Sequence, residues 1–109
     1  MPRNSRDLLA SLGRLSSVGF DILVALADGP KHSYAMLLDI EGRGGSPPGP
    51  GTLYATIAAL EERRWIVAFA TDDPRRPYAI TPDGQQALRA RLATQSAEIT
   101  LATSKLVDV

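Results

Sequence analysis

Two adjacent arginines, Arg75 and Arg76, stand in the turn-forming run ATDDPRRP over residues 70–77. Guanidinium groups held on a hairpin tip suit bidentate contact with phosphate, or insertion into a narrow minor groove. An arginine pair on a plain solvated turn does neither, and Asp72 and Asp73 beside it offer local neutralisation. The preceding segment favours phosphate. Residues 50–64, PGTLYATIAALEERR, place Leu53, Ile57 and Leu60 four and three apart, the stripe of a helix with one buried face. A helix followed by a basic β-hairpin is the recognition half of a winged helix-turn-helix.

Other chemistries find little support. The chain has no cysteine and one histidine, His32, so thiolate metal sites, disulfides and histidine-based catalysis are not expected. There is no nucleophile–base pair and no phosphate-cradling GxGxxG, and GRGGSPPGPG over 42–51 lacks the lysine and flanking strand of a P-loop. Neither an enzyme nor a cofactor is expected. No apolar run approaches the ~20 residues of a membrane span, and the N-terminus lacks a long apolar leader. A cytoplasmic location without membrane contact is the expectation.

Twelve basic and twelve acidic residues give a formal net charge of zero. Ten of the basic residues are arginine, so a local basic face is compatible with a neutral total. At 109 residues and 44% hydrophobic content the chain suffices for one compact domain with a modest core, which favours added stability from self-association.

The elements that must position the arginines follow in order. A helix over 5–16 carries Leu8, Leu9, Leu12 and Leu15 at helical spacing, weakened by Gly13. A core helix over 17–27 uses Val18, Ile22, Ala25 and Leu26, with Phe20 and Leu23 beside them, and Asp28-Gly29-Pro30 stops it. The helix over 32–42 places Tyr34, Leu37, Leu38 and Glu41 on one face, with Ile40 at the border. After the loop, Ser46 or Thr52 caps the helix that Pro50 opens. Residues 65–69 and 78–80 form the hairpin strands, and Trp65 reads as a core plug. Thr81-Pro82-Asp83 starts a last helix running almost to the end. Along it Leu88, Leu92, Gln95, Ile99, Ala102 and Leu106 repeat at 3.5 residues, a coiled-coil seam. The fold class is therefore mainly α with a small β-hairpin: a winged helix-turn-helix with N-terminal and long C-terminal dimerisation helices. Residues 1–81 make the DNA-binding region and 82–109 the dimerisation helix of one compact domain.

Three segments resemble the PadR family of transcriptional regulators. LADGPKHSYAMLL over 26–38 is similar to the family's supporting helix, with Ser33 where glycine is usual. GTLYATIAALEERRWI over 51–66 is similar to its recognition helix, with Ala55 for proline, Arg64 for glycine and Trp65 for leucine. RRPYAITPDG over 75–84 is similar to its wing and the start of its last helix. The resemblance implies a homodimer, of the class with a single C-terminal helix, that binds double-stranded operator DNA and represses transcription. It implies dimerisation through the first and last helices, here Leu8, Leu12, Leu88, Leu92, Gln95, Ile99 and Leu106. It also implies that a small hydrophobic or phenolic effector binds at that interface in some members.

Candidate DNA contacts follow from both lines of argument. Thr52 and Tyr54 open the recognition helix and bring hydroxyls to phosphate, although Thr52 also fits a cap and Tyr54 fits partial burial. Ala55, Thr56 and Ala59 lie where thymine methyls or groove shape are read. Lys31, His32 and Tyr34 open the supporting helix. The resemblance puts His32 and Tyr34 near the phosphate backbone, against a cap role for His32 or Ser33 and a core role for Tyr34. Arg75 and Arg76 form the wing contact, while Arg63 and Arg64 read as solvated charges at a helix end. The competing function is a winged-helix module that binds protein and has no operator of its own.

Overall fold

A computed structural model describes residues 15–107. Four helices and one hairpin run in the order α1 (Ser17–Leu26), α2 (Ser33–Gly42), α3 (Pro50–Glu62), β1 (Ile66–Ala68), β2 (Tyr78–Ile80) and α4 (Pro82–Val107). Leu8 and Leu12, with the helix expected around them, lie outside the described residues. That helix was expected to reach residue 16, but Leu15 and Ser16 are not helical. Ser16 is extended, and its hydroxyl accepts from the Gly19 N–H at 3.0 Å, so it caps α1.

Ile22, Leu23 and Leu26 from α1, Met36 from α2, Leu53, Ile57 and Leu60 from α3, Trp65 and Ile66 from the hairpin, and Ala87 and Leu88 from α4 form one buried cluster. The α3 stripe is as expected from its spacing, and Trp65 does plug the core beside it. The α2 face is not as expected. Tyr34 is 62% exposed and Leu38 51% exposed, while Met36 and Ile40 are buried and Leu37 half-buried. Apolar side chains occupy almost every position from Tyr34 to Ile40, so periodicity alone does not choose the inward face. Tyr34 can turn outward at little cost because its ring carries a polar hydroxyl tip that suits an exposed position.

β1 and β2 pair antiparallel with Ile66 opposite Ile80 and Ala68 opposite Tyr78. Lys31 adds an isolated antiparallel bridge on the other edge of β2, donating its N–H to Tyr78 O at 3.0 Å and accepting from Tyr78 N–H at 2.9 Å. The link between α1 and α2 is thereby stitched to the wing.

Two helix ends share one geometry. At the end of α2, the Gly44 N–H reaches Glu41 O and the Gly45 N–H reaches Ile40 O, both at 3.0 Å, with Gly44 at φ 86°. At the end of α3, the Arg64 N–H reaches Glu61 O at 2.9 Å and the Trp65 N–H reaches Leu60 O at 3.0 Å. There the left-handed position, φ 61°, is held by an arginine. The turn points Trp65 back into the core, with Arg63 stacked 5.1 Å above its ring.

The start of α4 is locked against this turn. Thr81 caps α4 with its hydroxyl, which accepts from Gly84 N–H at 3.0 Å and donates to Arg64 O at 2.6 Å. Its own N–H binds Trp65 O at 3.0 Å. Gly84 sits so close that a Cβ there would lie 2.1 Å from Trp65 O, hence the need for glycine. Neither Ser46 nor Thr52 caps α3: Gly49 is the N-cap, without a side-chain bond, and Pro50 occupies the first turn.

Leu88 corrects the expected seam. It is buried in its own domain together with Ala87, because the first turns of α4 pack against α1. Past that contact Leu92, Ile99 and Leu106 are 46%, 66% and 72% exposed. Gln95 is half-buried, and its Oε1 has no hydrogen-bond partner among the described residues. Arg91 fixes α4 to the domain by donating to Leu15 O and lying 5.3 Å over the Phe20 ring.

Candidate nucleic-acid interface

Burying Leu53, Ile57 and Leu60 decides what α3 shows to solvent. At 100° per residue, Gly51, Ala55, Ala58 and Glu62 fall opposite the buried stripe, and all four are exposed. Tyr54 and Glu61 flank that line on one side, Thr52 and Ala59 on the other. The Tyr54 hydroxyl lies 3.4 Å from the Ser33 hydroxyl, which joins the starts of α2 and α3. Tyr34 is exposed on that same α2 start. The Thr56 hydroxyl proton is engaged within the helix, donated to Thr52 O at 2.7 Å. On the flank toward α1, Thr52, Ala55, Thr56, Ala59 and Arg63 border an open groove of about 420 Å³ whose far side is Leu15, Ser16 and Gly19.

Two of the α2-start residues have internal partners. His32 is the N-cap of α2: its Nδ1 accepts from Ala35 N–H at 3.3 Å. Lys31 donates to Ala25 O at 2.6 Å and pairs with Asp28, which holds the Asp28 carboxyl below its ordinary range. Its ammonium therefore closes the C-terminal end of α1, a site favourable to cations. The expected phosphate contact from Lys31 conflicts with this engagement. The signal was present in the sequence as a carboxylate three residues ahead of the amine.

The wing is closed at its base by Phe69 N–H on Pro77 O at 2.9 Å. At its tip Asp73 organises the turn. Its carboxylate accepts from the Arg75 N–H at 2.8 Å, and its own N–H reaches the Thr71 hydroxyl at 3.2 Å. The Arg75 N–H is the main reason that the Asp73 carboxyl titrates below its ordinary range. The Arg75 guanidinium approaches Asp73 at 3.6 Å but remains largely exposed. Arg76 is exposed and has no ion-pair partner among the described residues. Asp73 thus shapes the turn and neutralises part of one arginine only.

The start of α2, α3 and the wing therefore carry the sequence-derived contact residues other than Lys31 on exposed or half-exposed positions: His32 and Tyr34, Thr52, Tyr54 and Ala55, Arg75 and Arg76. Of the pair weighed as the α2 cap, His32 fills that role and Ser33 instead meets Tyr54; Ala58 was not singled out from the sequence. Ala58 was legible there, three positions after Ala55 and out of phase with the buried stripe. Among the described residues no group of three or more histidines, aspartates and glutamates is arranged to hold a metal ion. No described helix is long and apolar enough to cross a membrane.

The profile of the Transcriptional regulator PadR-like family matches residues 22–90. A 37.1 kDa uncharacterized protein in transposon TN4556 of Streptomyces fradiae is 40% identical over 67 residues, covering 62% of this chain and 19% of that protein. The chain thus matches about a fifth of that relative's length. Among solved structures, a PadR family transcription regulator from Clostridium difficile R20291 superposes with a TM-score of 0.75 at 16% identity, covering 84% of this chain and 99% of the other. A PadR family regulator from Eggerthella lenta DSM 2243 gives 0.64 at 21% identity, covering 95% and 96%. At such identities the likeness is one of fold, and the fold is the winged helix with a long last helix.

Proposed function

Because the chain belongs to the PadR-like family of transcriptional regulators, we propose that it is a homodimeric repressor on an inverted-repeat operator, released by a small hydrophobic or phenolic effector. The observation that carries the dimer is α4. Its 26 residues extend about 39 Å, and along it Leu92 is nearly half exposed and Ile99, Leu101, Leu106 and Val107 are more than half exposed. A helix with such a face is stabilised by a second copy. In this reading residues 1–81 bind DNA and residues 82–109 dimerise, with Leu92, Gln95, Ile99 and Leu106 at the contact. Leu88 acts instead as the anchor of α4 in its own domain.

On DNA, α3 enters the major groove by its N-terminal turns and the wing reaches the flanking backbone or minor groove. Tyr34, Tyr54 and Thr52 contact phosphate through hydroxyls. His32, with Nδ1 engaged as an acceptor, offers an Nε2–H donor in its neutral form. Arg75 and Arg76 supply the charge. Lys31 contributes by holding α1 to the α2 start. The effector would sit between the terminal helices and acts only if it favours one spacing of the two recognition helices over another. The protein works in the cytoplasm in this account.

A protein-binding winged helix without an operator is the second reading. It is favoured by the zero net charge and by the exposed Val67 and Phe69 on the wing. Selection of duplexes from a random pool at low and moderate salt separates the two. Enrichment of an inverted repeat with half-sites about one helical turn apart supports the regulator. No enrichment at either salt supports the protein-binding module.

A further inference from the structure

The outward face of α3 lacks the side chains that read bases by paired hydrogen bonds. Guanine is read by arginine or lysine and adenine by asparagine or glutamine. None of these four occurs between Pro50 and Glu62. Thr56 is engaged with Thr52 O, and the Tyr54 hydroxyl lies beside Ser33. Glu61 and Glu62, which suit cytosine N4, stand at the far end of the helix from the turns that enter the groove. What remains on the line opposite the core is a glycine and two methyl groups: Gly51, Ala55 and Ala58, with the Thr52 side chain alongside. Gly51 has nothing within 4 Å of where a Cβ would stand, so the backbone there is open to close approach.

From this surface we infer that α3 selects its half-site by contact with thymine C5-methyl groups, Ala55 and Ala58 being the specificity-determining residues. The inference rests on the operator-binding reading above. Thymine is the one base that presents an apolar group in the major groove, and a surface of methyls without donors favours it while leaving the polar edges of G·C pairs unsatisfied. The operator positions beneath α3 are therefore runs containing thymine on the contacted strand. Arg75 and Arg76 then meet an A·T-rich flank, whose narrow minor groove attracts guanidinium groups.

The test uses the full chain and the best duplex recovered by selection, with each dT replaced singly by dU. This removes only the methyl and leaves the minor-groove edge intact, so it isolates α3 from the wing. Two or more positions per half-site are expected to lose about threefold to fourfold in affinity each, the effect of one methyl returned to water. 7-Deazapurines at the same pairs, which lack the N7 acceptor, are expected to bind within about twofold. Ala55→Gly, and separately Ala58→Gly, should bring the dT/dU ratio at one position close to one. Retained affinity in every dU duplex, with losses confined to the 7-deaza set, overturns the inference while leaving the operator reading intact. Failure to bind any duplex removes the operator reading and the inference with it.

Discussion

Arg64 is an arginine in a position built for glycine, and replacing it should stabilise the protein. Its φ of 61° costs an L-residue about 1–2 kcal/mol. Glycine escapes that cost but loses about 0.5–1 kcal/mol more than alanine in backbone entropy on folding. The difference leaves a gain of about 0.7 kcal/mol for Arg64→Gly. For a domain of this size that corresponds to a melting temperature higher by about 4 °C. The substitution keeps the neighbouring bonds, since residue 64 takes part in them only through its main-chain N–H and O, the latter accepting from the Thr81 hydroxyl. Arg64→Asn should fall between glycine and the parent, because asparagine tolerates the left-handed region. Arg64→Ala should gain nothing, since it keeps the Cβ. Thermal unfolding followed by circular dichroism at one fixed protein concentration reads all three. The argument fails if alanine raises the melting temperature as much as glycine, because the gain would then come from losing a charge, or if glycine lowers it.

Other outcomes follow from the same geometry. Gly84→Ala should cost about 3 kcal/mol, as its Cβ would strike Trp65 O at 2.1 Å; urea unfolding reads it, and an unchanged midpoint contradicts the close approach. Arg75→Ala combined with Arg76→Ala should lower the slope of log affinity against log salt by about 1.8 per wing, measured by fluorescence anisotropy on the selected duplex; an unchanged slope takes the wing off the DNA. Leu92→Lys combined with Ile99→Lys should give a monomer by analytical ultracentrifugation, and a double variant that still sediments as a dimer places the interface elsewhere. The Asp73 carboxyl has a folded pKa below its unfolded value, so its hold on the Arg75 amide is complete above the ordinary 3.8 and disappears as pH falls through the lower folded value. Protection of the Arg75 amide, measured as its exchange relative to the intrinsic rate at each pH, should fall in that acid window, and Asp73→Asn should flatten the dependence.

Most of the architecture was legible because its local signals agreed with one another. Leu53, Ile57 and Leu60 have one possible inward face, and Thr81-Pro82-Asp83 has one reading as a helix start. The inward face of α2 was not legible, since Tyr34, Met36, Leu37, Leu38 and Ile40 offer several apolar stripes and only the neighbours α1 and α3 choose among them. Leu88 was assigned to the wrong partner for a related reason. A 3.5-residue repeat states that a face is apolar, and the contact of early α4 with α1 decides where intramolecular cover ends. The site was legible as residue types on the right elements. The turn built by Asp73 and the bond from Lys31 to Ala25 O required the packing to be known, whereas the outward position of Ala58 follows from the buried stripe alone.

Arg91 has a mechanical consequence. It and the buried Ala87 and Leu88 make a pivot, and the 16 residues from Leu92 to Val107 form an arm about 24 Å long beyond it. A rotation of about 10° at such a pivot carries the arm's tip about 4 Å, more than the rise of one base pair along DNA. If two arms are joined, small play at Arg91 becomes tolerance in half-site spacing, and a tight clamp becomes intolerance. The stiffness of one guanidinium contact to Leu15 O and Phe20 would then set how strictly the protein measures distance along the duplex.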